Sequence, residues 1–240
     1  MYKGQKIVVV LPAYNAAKTL ALTVHGLPSE VDEIILVDDH SQDETIAIAT
    51  ELGLTVLRHA ETKGYGANQK TCYQAALDHE ADIIVMIHPD YQYDPYLVKY
   101  FAAFLGDDYF DVMLGTRIRS RREALAGGMP SYKYLANRFL SIIENMVSGL
   151  NLSEWHTGMR AYKREVLLNI NWLKNSDDFV FDSQVLFQIV AKHYRLGEIP
   201  VPVKYFPEAS SINFRRSLKY GLATLGVAAS YLFNKSRWRG

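Results

Sequence analysis

Acidic residues follow two strongly apolar segments of the sequence, at positions where they could bind a ligand. The first segment, 33–37, ends in Asp38 and Asp39, and the second, 82–87, is followed by the pentapeptide His-Pro-Asp-Tyr-Gln at 88–92. Short apolar runs rich in β-branched residues are typical of buried strands in a parallel sheet. The carboxyl ends of parallel strands meet at one edge, where open α/β sheets bind ligands. We therefore expect these acids to lie at a ligand site.

Oxygen-bearing side chains at such an edge suit a hard divalent cation that carries phosphates. Asp90 is the expected metal ligand, with Gln92 and His88 as further candidates. Since a residue before proline is held extended, side chains 88 and 90 should project to the same side. His88 is either a ligand, better suited to Mn²⁺ than to Mg²⁺, or a hydrogen-bond donor to phosphate. The pattern predicts an enzyme that uses Mg²⁺ or Mn²⁺ and acts on a phosphorylated small molecule, with a nucleotide-sugar as the first candidate.

Apolar segments and helical patterns alternate through the first half of the chain. The predicted strands are 6–11, 33–37, 54–58, 82–88 and 111–115, and the predicted helices are 17–27, 42–53, 66–80 and 96–106. Ser41 and Glu44 have the spacing of a capping box, which predicts that Ser41 opens the second helix. The alternation predicts an α/β fold with a doubly wound, mostly parallel sheet.

The pattern changes after Gly115, where a basic, glycine-bearing loop extends to Pro130. Loops of that length within a compact domain are usually lids or binding loops. Beyond it, the predicted helices are 132–149 and 180–194, and the predicted strands are 155–162 and 197–206. Because no linker or repeat interrupts the chain, we predict a single domain over 1–240, with halves at 1–115 and 116–212 and a C-terminal helix within 213–240.

The segment 218–233 is mostly apolar and allows two interpretations. It is shorter than the roughly 20 residues that span a bilayer, so it either packs on the domain or lies in a membrane interface. Packing on the domain is the preferred interpretation, and the basic residues around Trp238 keep the membrane interface as the alternative. An exposed apolar face on this helix would bind either lipid or another copy of the chain, which would make a homo-oligomer.

The composition excludes several other functions. The chain has 26 Lys and Arg residues against 26 Asp and Glu residues, so no net charge attracts nucleic acid. Cys72 is the only cysteine, which excludes an internal disulfide and fits a reducing compartment. The sequence runs from Met1 into the first strand without an apolar signal segment, which predicts a cytoplasmic location.

Several motifs resemble, in order and spacing, those of family 2 glycosyltransferases with the GT-A fold. The first four are Leu11-Pro12-Ala13-Tyr14-Asn15, Val37-Asp38-Asp39 with Ser41 and Asp43, Lys63-Gly64-Tyr65-Gly66-Ala67, and Asp90-Tyr91-Gln92. Three later motifs resemble the dolichol-phosphate mannosyltransferase branch: Gly115-Thr116-Arg117, Gly127-Gly128, and Thr157-Gly158-Met159-Arg160-Ala161-Tyr162. The resemblance covers about residues 5 to 212. It departs at His88, where the family usually has the first acid of Asp-x-Asp, and at Ala16, where it commonly has Glu.

The resemblance implies a GT-A fold, which is doubly wound and Rossmann-like, and a nucleotide-sugar site at the sheet edge. The residues implied for donor binding are Pro12, Ala13, Tyr14, Asn15, Asp38, Asp39, Lys63, Gly64 and Lys70. For the two aspartates, the family pattern favours Asp39 as the nucleotide contact with Asp38 in support. A turn or helix cap is the alternative role for that pair, and a glycine-rich turn is the alternative for the lysine–glycine motif.

The same resemblance implies inverting transfer of a sugar to a polyprenyl phosphate acceptor. The residues implied for the acceptor are Arg117, Lys133, Arg138 and Ser211, and those implied for catalysis are Asp90, Arg117, Arg160 and Asp182. Asp182 is either a general base, which a hydroxyl acceptor would need, or a helix cap. A transferase to a saccharide hydroxyl and a silent nucleotide-sugar-binding subunit are the alternative functions. Because the acceptor lipid lies in a membrane, peripheral contact with the cytoplasmic membrane face is expected.

Overall fold

One seven-stranded sheet organises the protein. The computed structural model describes residues 1–118, 120, 122, 129–203 and 214–239. Its strands are β1 (Ile7–Ala13), β2 (Glu33–Asp38), β3 (Thr55–Arg58), β4 (Ile83–Ile87), β5 (Val112–Thr116), β6 (Met159–Lys163) and β7 (Leu196–Pro200).

Helices surround the sheet. They are α1 (Leu20–His25), α2 (Thr45–Glu51), α3 (Tyr65–Asp78), α4 (Val98–Gly106), α5 (Ser131–Ser148), α6 (Arg164–Asn169), α7 (Phe181–Ala191) and α8 (Phe214–Phe233). Short 3₁₀ helices occur at Pro95–Leu97, Trp172–Lys174 and Lys235–Trp238.

The strand order is β3-β2-β1-β4-β6-β5-β7, and only β6 runs antiparallel to its neighbours. The predicted α/β class and mostly parallel sheet are therefore confirmed. Strand β6 begins at Met159 rather than near 155, because Trp155 is a buried core residue in the preceding loop. The last strand ends at Pro200, and the rest of its predicted range to 206 falls partly outside the described residues.

Alternate side chains of the central strands supply two cores, one on each side of the sheet. In β1, Val8 and Val10 belong to one core, whereas Ile7, Val9 and Leu11 belong to the other. Full burial of such a side chain contributes about 1.5–3 kcal/mol. Because both faces are covered, β1 is apolar throughout and has no alternation of polar residues.

The predicted capping box at the start of α2 is wrong. This helix begins at Thr45, and Glu44 in the N-cap position makes no side-chain capping bond. The Ser41 hydroxyl instead accepts a hydrogen bond of 2.8 Å from the backbone N–H of Asn15. The serine therefore joins the loops after β1 and β2 and does not start the helix.

The C-terminal helix packs on the domain along one face. Val227, Ala228 and Tyr231 of α8 are buried in the same core as Phe187 of α7. Trp238, in the 3₁₀ helix that follows, is buried there as well. This face of α8 therefore packs on the domain, which was the first of the two interpretations of segment 218–233. The opposite face of α8 is exposed. Within the described residues, no helix is both long and apolar enough to cross a membrane.

Candidate active site

The carboxyl ends of β1 and β2 lie side by side at one edge of the sheet. Pro12 lies opposite Val37 and Ala13 opposite Asp38, in parallel register. The N–H of Asp39 donates to the carbonyl of Ala13 at 2.9 Å, which continues the pairing one residue beyond the strands. The predicted donor residues of these two motifs are therefore brought together.

The two adjacent aspartates have different surroundings. The carboxylate of Asp39 accepts hydrogen bonds from the N–H groups of Lys63 (2.8 Å) and Gly64 (3.0 Å), and its Oδ1 is 2.7 Å from His59 Nδ1. Asp39 thus holds the loop before α3, and its oxygens are already engaged. The nucleotide contact expected of Asp39 stays a prediction, which these hydrogen bonds make less favourable.

Asp38 retains an oxygen without a hydrogen bond. Its Oδ2 accepts from the N–H of Ser41 at 3.0 Å and lies 3.7 Å from Arg58 Nε. Its Oδ1 is buried and has no hydrogen-bond partner. A buried acceptor without a donor costs about 1–3 kcal/mol, so a ligand N–H or O–H reaching this oxygen would be stabilised. Asp38 is the better candidate for donor recognition.

The loop after β1 leaves an aromatic side chain in solvent beside this edge. Tyr14 is 56% exposed, which makes its ring available to a nucleobase. Asn15 has a positive φ of 51°, and its Oδ1 accepts from the N–H of Gln42 at 2.9 Å. Asn15 therefore joins the loops after β1 and β2. The ring of Tyr14 is the side chain left exposed to a ligand.

The glycine motif at the start of α3 packs against another segment of the chain. Gly64 has φ of 105°, and a Cβ there would lie 2.9 Å from the carbonyl oxygen of Asp177. The N–H of Gly66 donates to the same oxygen at 2.8 Å. Asp39 and Asp177 accept from the N–H groups of Gly64 and Gly66, so these groups hold the chain together, and the donor contact expected of Gly64 stays a prediction.

Lys70 also holds that segment. Its ammonium donates to the carbonyl of Asn175 at 2.5 Å and to Asp177 at 2.8 Å. Lys70 therefore has a packing role in this structure, and its nucleotide contact stays a prediction. Lys63, in contrast, is exposed and makes its hydrogen bond to Asp39 through the backbone, so its side chain stays a candidate.

The turn after β4 carries the predicted metal ligands. Asp90 is half-buried, and its Oδ1 accepts from the N–H of Gln92 at 3.1 Å, an Asx turn with Tyr91 at φ of 56°. Burial raises the pKa of the Asp90 carboxyl, while the His88 and Arg117 charges act in the opposite direction. The Asp90 carboxylate is therefore partly shielded from water, and a nearby cation would stabilise its charge.

His88 contacts the start of α3. Its Nε2 is 3.3 Å from the hydroxyl of Tyr65, and the two rings stack with centroids 5.4 Å apart. A Cβ on Gly158 would lie 2.6 Å from His88 Cδ2, so glycine leaves room for the imidazole. His88 is thus seated between the β4 turn and the loop before β6.

The donor set of this turn fits a divalent cation only in part. Among the described residues, no three His, Cys, Asp or Glu side chains are grouped so as to hold a metal ion. Asp90 supplies one hard oxygen ligand in a partly dry place, and Gln92, close to it, supplies an amide. Such a set fits a cation that receives most of its ligands from the phosphates of a bound nucleotide.

Arg160 and Asp182 form a buried pair away from solvent. Arg160 is fully buried, and its Nη2 is 3.3 Å from Asp182 Oδ2. The other partners of the Asp182 carboxylate are Tyr65, whose hydroxyl donates at 2.8 Å, and Gln69, whose amide donates at 3.1 Å. The guanidinium does not reach the surface, and Asp182 does not cap α7. The catalytic roles of both residues stay predictions.

Arg117 is positioned by a residue that sequence reasoning missed. Glu154 is 0% exposed; its Oε1 accepts from Arg117 Nε at 2.8 Å and its Oε2 from the Arg117 N–H at 2.8 Å. The Nη2 atom contacts Glu154 and also donates to the carbonyl of His156 at 2.7 Å. Burial alone would raise the pKa of Glu154, but Arg117 more than offsets this and the pKa is lowered. In the sequence, Glu154 is an acid directly before Trp155, close to the motif that begins at Thr157, and this position could have marked it as a candidate.

A second cation lies within electrostatic range of Arg117. Lys133, in the first turn of α5, is half-buried, and burial together with the Arg117 charge lowers its pKa. Since Arg117 also acts on Asp90, these three groups define one charged region at the sheet edge. Two cations held close together favour an anion between them.

The remaining predicted acceptor residues are not part of this region. Arg138 donates to the carbonyl of Ser153 at 2.8 Å and so braces the loop that carries Glu154. Ser211 lies outside the described residues, as do Gly127 and Gly128 of the basic loop.

The sheet order and the acidic edge define the GT-A class of nucleotide-dependent transferases. Residues 8–170 match the model of glycosyl transferase family 2. The chain belongs to this family and is a glycosyltransferase, as its motifs predicted.

Relatives of known sequence extend over most of the chain. An uncharacterized protein of Methanocaldococcus jannaschii is 30% identical over 83% of this chain and 81% of its own length. A dolichyl-phosphate hexose transferase of Haloferax volcanii is 27% identical over 85% of each chain. A UDP-N-acetylglucosamine–dolichyl-phosphate N-acetylglucosaminyltransferase of Methanococcus voltae is 27% identical over 83% of this chain and 86% of its own.

Solved structures with the same fold include glucosyl-3-phosphoglycerate synthase from Mycobacterium tuberculosis in complex with UDP. It superposes with a TM-score of 0.74 at 19% identity, covering 96% of this chain and 81% of that one. The same enzyme with Mn²⁺, UDP-glucose and phosphoglyceric acid gives a TM-score of 0.73 at 19% identity, covering 96% and 80%. At this identity the similarity shows the fold alone.

Proposed function

We propose that this protein transfers a sugar from a nucleoside-diphosphate-sugar to a polyprenyl phosphate. The observation that carries the proposal is the position of Arg117: it directly follows β5 at the ligand edge of the sheet, and Glu154 and the His156 carbonyl fix its guanidinium there. Its charge acts on Asp90 and on Lys133. Two relatives that extend over most of the chain are named for transfer to dolichyl phosphate, which supports this acceptor.

The donor would bind along the ends of β1, β2 and β4. Tyr14 offers a ring to the base, and the unpaired oxygen of Asp38 offers an acceptor to the nucleoside. Asp90, with Gln92 and His88 beside it, would hold a Mg²⁺ or Mn²⁺ ion, which supplies positive charge to the departing diphosphate. Structures of the same fold contain UDP with Mn²⁺ or Mg²⁺, which supports a divalent ion.

The acceptor phosphate would be positioned by Arg117 and Lys133. One of its oxygens attacks the anomeric carbon from the side opposite the diphosphate; the new C–O bond forms as the bond to the diphosphate breaks, and the configuration inverts. An acceptor phosphate is already anionic, so this step needs no general base. Asp182 is tied to Arg160, Tyr65 and Gln69, which disfavours the hydroxyl acceptor that would require one.

A lipid acceptor requires contact with a membrane. We infer that the protein works at the cytoplasmic face as a peripheral protein, through the exposed face of α8 and the basic residues that follow it.

The test is transfer of radiolabelled sugar from UDP-, GDP- and dTDP-linked donors to a short, water-soluble prenyl phosphate. We expect a labelled glycosyl prenyl phosphate, separated from the donor by reversed-phase chromatography, with one donor and dependent on added Mg²⁺ or Mn²⁺. Label that enters only saccharide acceptors would contradict the proposal, and so would binding of every donor without transfer to any acceptor.

A further inference from the structure

Helix α5 presents an apolar stripe to solvent. The side chains of Leu135, Phe139, Ile142 and Met146 are between 49% and 72% exposed. Their spacing of three and four residues places them on one face of the helix. The buried residues Leu140, Ser141 and Glu144 lie on the opposite face. A large exposed stripe of this kind marks an interaction surface.

Helix α8 lies against α5 and continues the apolar surface. A Cβ on Gly221 would be 3.9 Å from Leu140 of α5, which shows how closely the helices approach. Leu218, Leu222, Leu232 and Phe233 are between 52% and 86% exposed, on the side of α8 away from its buried residues. Since both helices turn their inner faces to the protein interior, their outer faces form one layer, here called the α5–α8 face.

The charges around this face are mainly positive. The segment 214–239 has several Lys and Arg residues but neither Asp nor Glu. Lys235, Arg237 and Arg239 are exposed at its end. The single carboxylate of α5, Glu144, is buried, and Asp178 of a neighbouring loop pairs with Lys219 at 2.8 Å. The surface therefore combines apolar side chains with an excess of cations.

The inner sides of both helices adjoin the charged site. Lys133 lies two residues before Leu135, which places it on the opposite, inner side of α5. Asn137, on that same side, donates to Glu154 Oε1 at 2.9 Å. On α8, the hydroxyl of Tyr220 contacts the ring of His156, whose carbonyl accepts from Arg117. Both helices that carry the stripe are thus joined to the residues that hold Arg117.

We infer that the α5–α8 face lies on an anionic bilayer, so that the charged site on the inner side of α5 is held beside the lipid phosphates at the bilayer surface. This inference rests on the proposed function and names the surface that delivers the acceptor. A second copy of the chain is the other occupant to consider, but an isologous contact would bring the two sets of cations together. An anionic membrane takes up apolar side chains and cations at once.

The test uses the full chain and measures co-sedimentation with vesicles of phosphatidylcholine containing phosphatidylglycerol. The triple variant Leu135→Ser, Phe139→Ser, Leu222→Ser changes only exposed side chains, so it should fold with unchanged circular dichroism and Tm. Each truncated side chain should weaken vesicle binding about tenfold, since burial of one contributes about 1.5–3 kcal/mol. The matched control is Leu168→Ser, Leu173→Ser, which removes two exposed leucines outside the α5–α8 face and should bind normally.

Three outcomes decide the inference. Loss of vesicle binding in the triple variant, with unchanged turnover on a water-soluble short-chain prenyl phosphate, supports it. Unchanged vesicle binding overturns it, and so does a concentration-dependent dimer that the triple variant abolishes while binding to vesicles is retained. If the unaltered protein binds vesicles through this face yet transfers sugar to no prenyl phosphate, the proposed function fails while the membrane surface stands.

Discussion

The buried carboxylate of Glu154 holds Arg117. At the scale of single residues, Glu154 therefore positions the guanidinium, and Arg117 is the residue that we propose to bind the acceptor. Glu154 accepts from the backbone and the side chain of Arg117 and also from Asn137. A buried guanidinium–carboxylate contact fixes the direction of the fork at the cost of desolvation. The geometry therefore assigns Glu154 to orienting Arg117 for an anionic acceptor.

Glu154→Gln keeps the shape of the side chain but removes its charge. We expect kcat/KM for the acceptor to fall by roughly 10- to 100-fold, because a loosened Arg117 no longer positions the nucleophile. Nucleotide affinity, measured by calorimetry, should stay the same. Glu198→Gln is the matched control, since Glu198 accepts from Ser153 in the same loop. An equal kinetic loss in both variants would assign the effect to the loop and not to Arg117.

Asp90→Asn tests the metal assignment. The amide has nearly the size of the carboxylate but no charge, so the fold should be kept while metal-dependent nucleotide binding weakens. Turnover should fall by orders of magnitude. Calorimetry of the nucleoside diphosphate with Mg²⁺ and with Mn²⁺ measures the loss, and full activity of this variant in the presence of chelator would contradict the assignment.

Lys133 predicts a pH dependence of acceptor binding. Its pKa is lowered from 10.5 by burial and by Arg117, so it loses its proton at a lower pH than an ordinary lysine. Phosphate favours the charged form, hence the acceptor KM should rise as the pH increases through this lowered pKa. Lys133→Arg should move the rise to higher pH. A KM that is constant up to the ordinary lysine range would show that Lys133 does not contact the acceptor.

At the scale of elements, α8 has two faces with different tasks. Tyr231 packs on Phe187 with ring centroids 4.8 Å apart, and Trp238 lies beside both. Deletion of residues 218–239 should therefore expose the core and give an unfolded or insoluble protein, since each lost side chain removes about 1.5–3 kcal/mol. Leu222→Ser, on the outer face, should leave Tm unchanged. A soluble deletion with a cooperative thermal transition would contradict the packing role.

The strands and longer helices were predictable because their patterns are local. The β-branched runs of β1, β2 and β4 give buried strands wherever they pair, and α5 differs from its predicted range by a single residue at each end. The start of α2 was not predictable in the same way. A serine hydroxyl can accept a hydrogen bond from the start of its own helix or from a neighbouring loop. The Ser41 hydroxyl accepts one from the N–H of Asn15.

At the scale of the whole molecule, the site is assembled by segments far apart in the sequence. Asp177 meets Gly66 and Lys70, and Asp182 meets Tyr65, across more than a hundred residues. No local pattern encodes these contacts, so the packing partners of Lys70, Arg160 and Asp182 could not be predicted from the sequence. The positions of Asp90 and Arg117 could be predicted, because each follows a strand at the ligand edge.

The central claim is that the acceptor is a lipid phosphate held by Arg117 and Lys133. The most direct measurement compares a short-chain prenyl phosphate with the prenyl alcohol of the same chain, with mass spectrometry of the glycosylated product. We predict transfer to the phosphate alone, and a kcat/KM reduced by at least about tenfold in Lys133→Ala at unchanged donor affinity, as expected for loss of a charged hydrogen bond. Equal transfer to the alcohol and the phosphate, or a Lys133→Ala enzyme with full activity on the phosphate, would contradict the account.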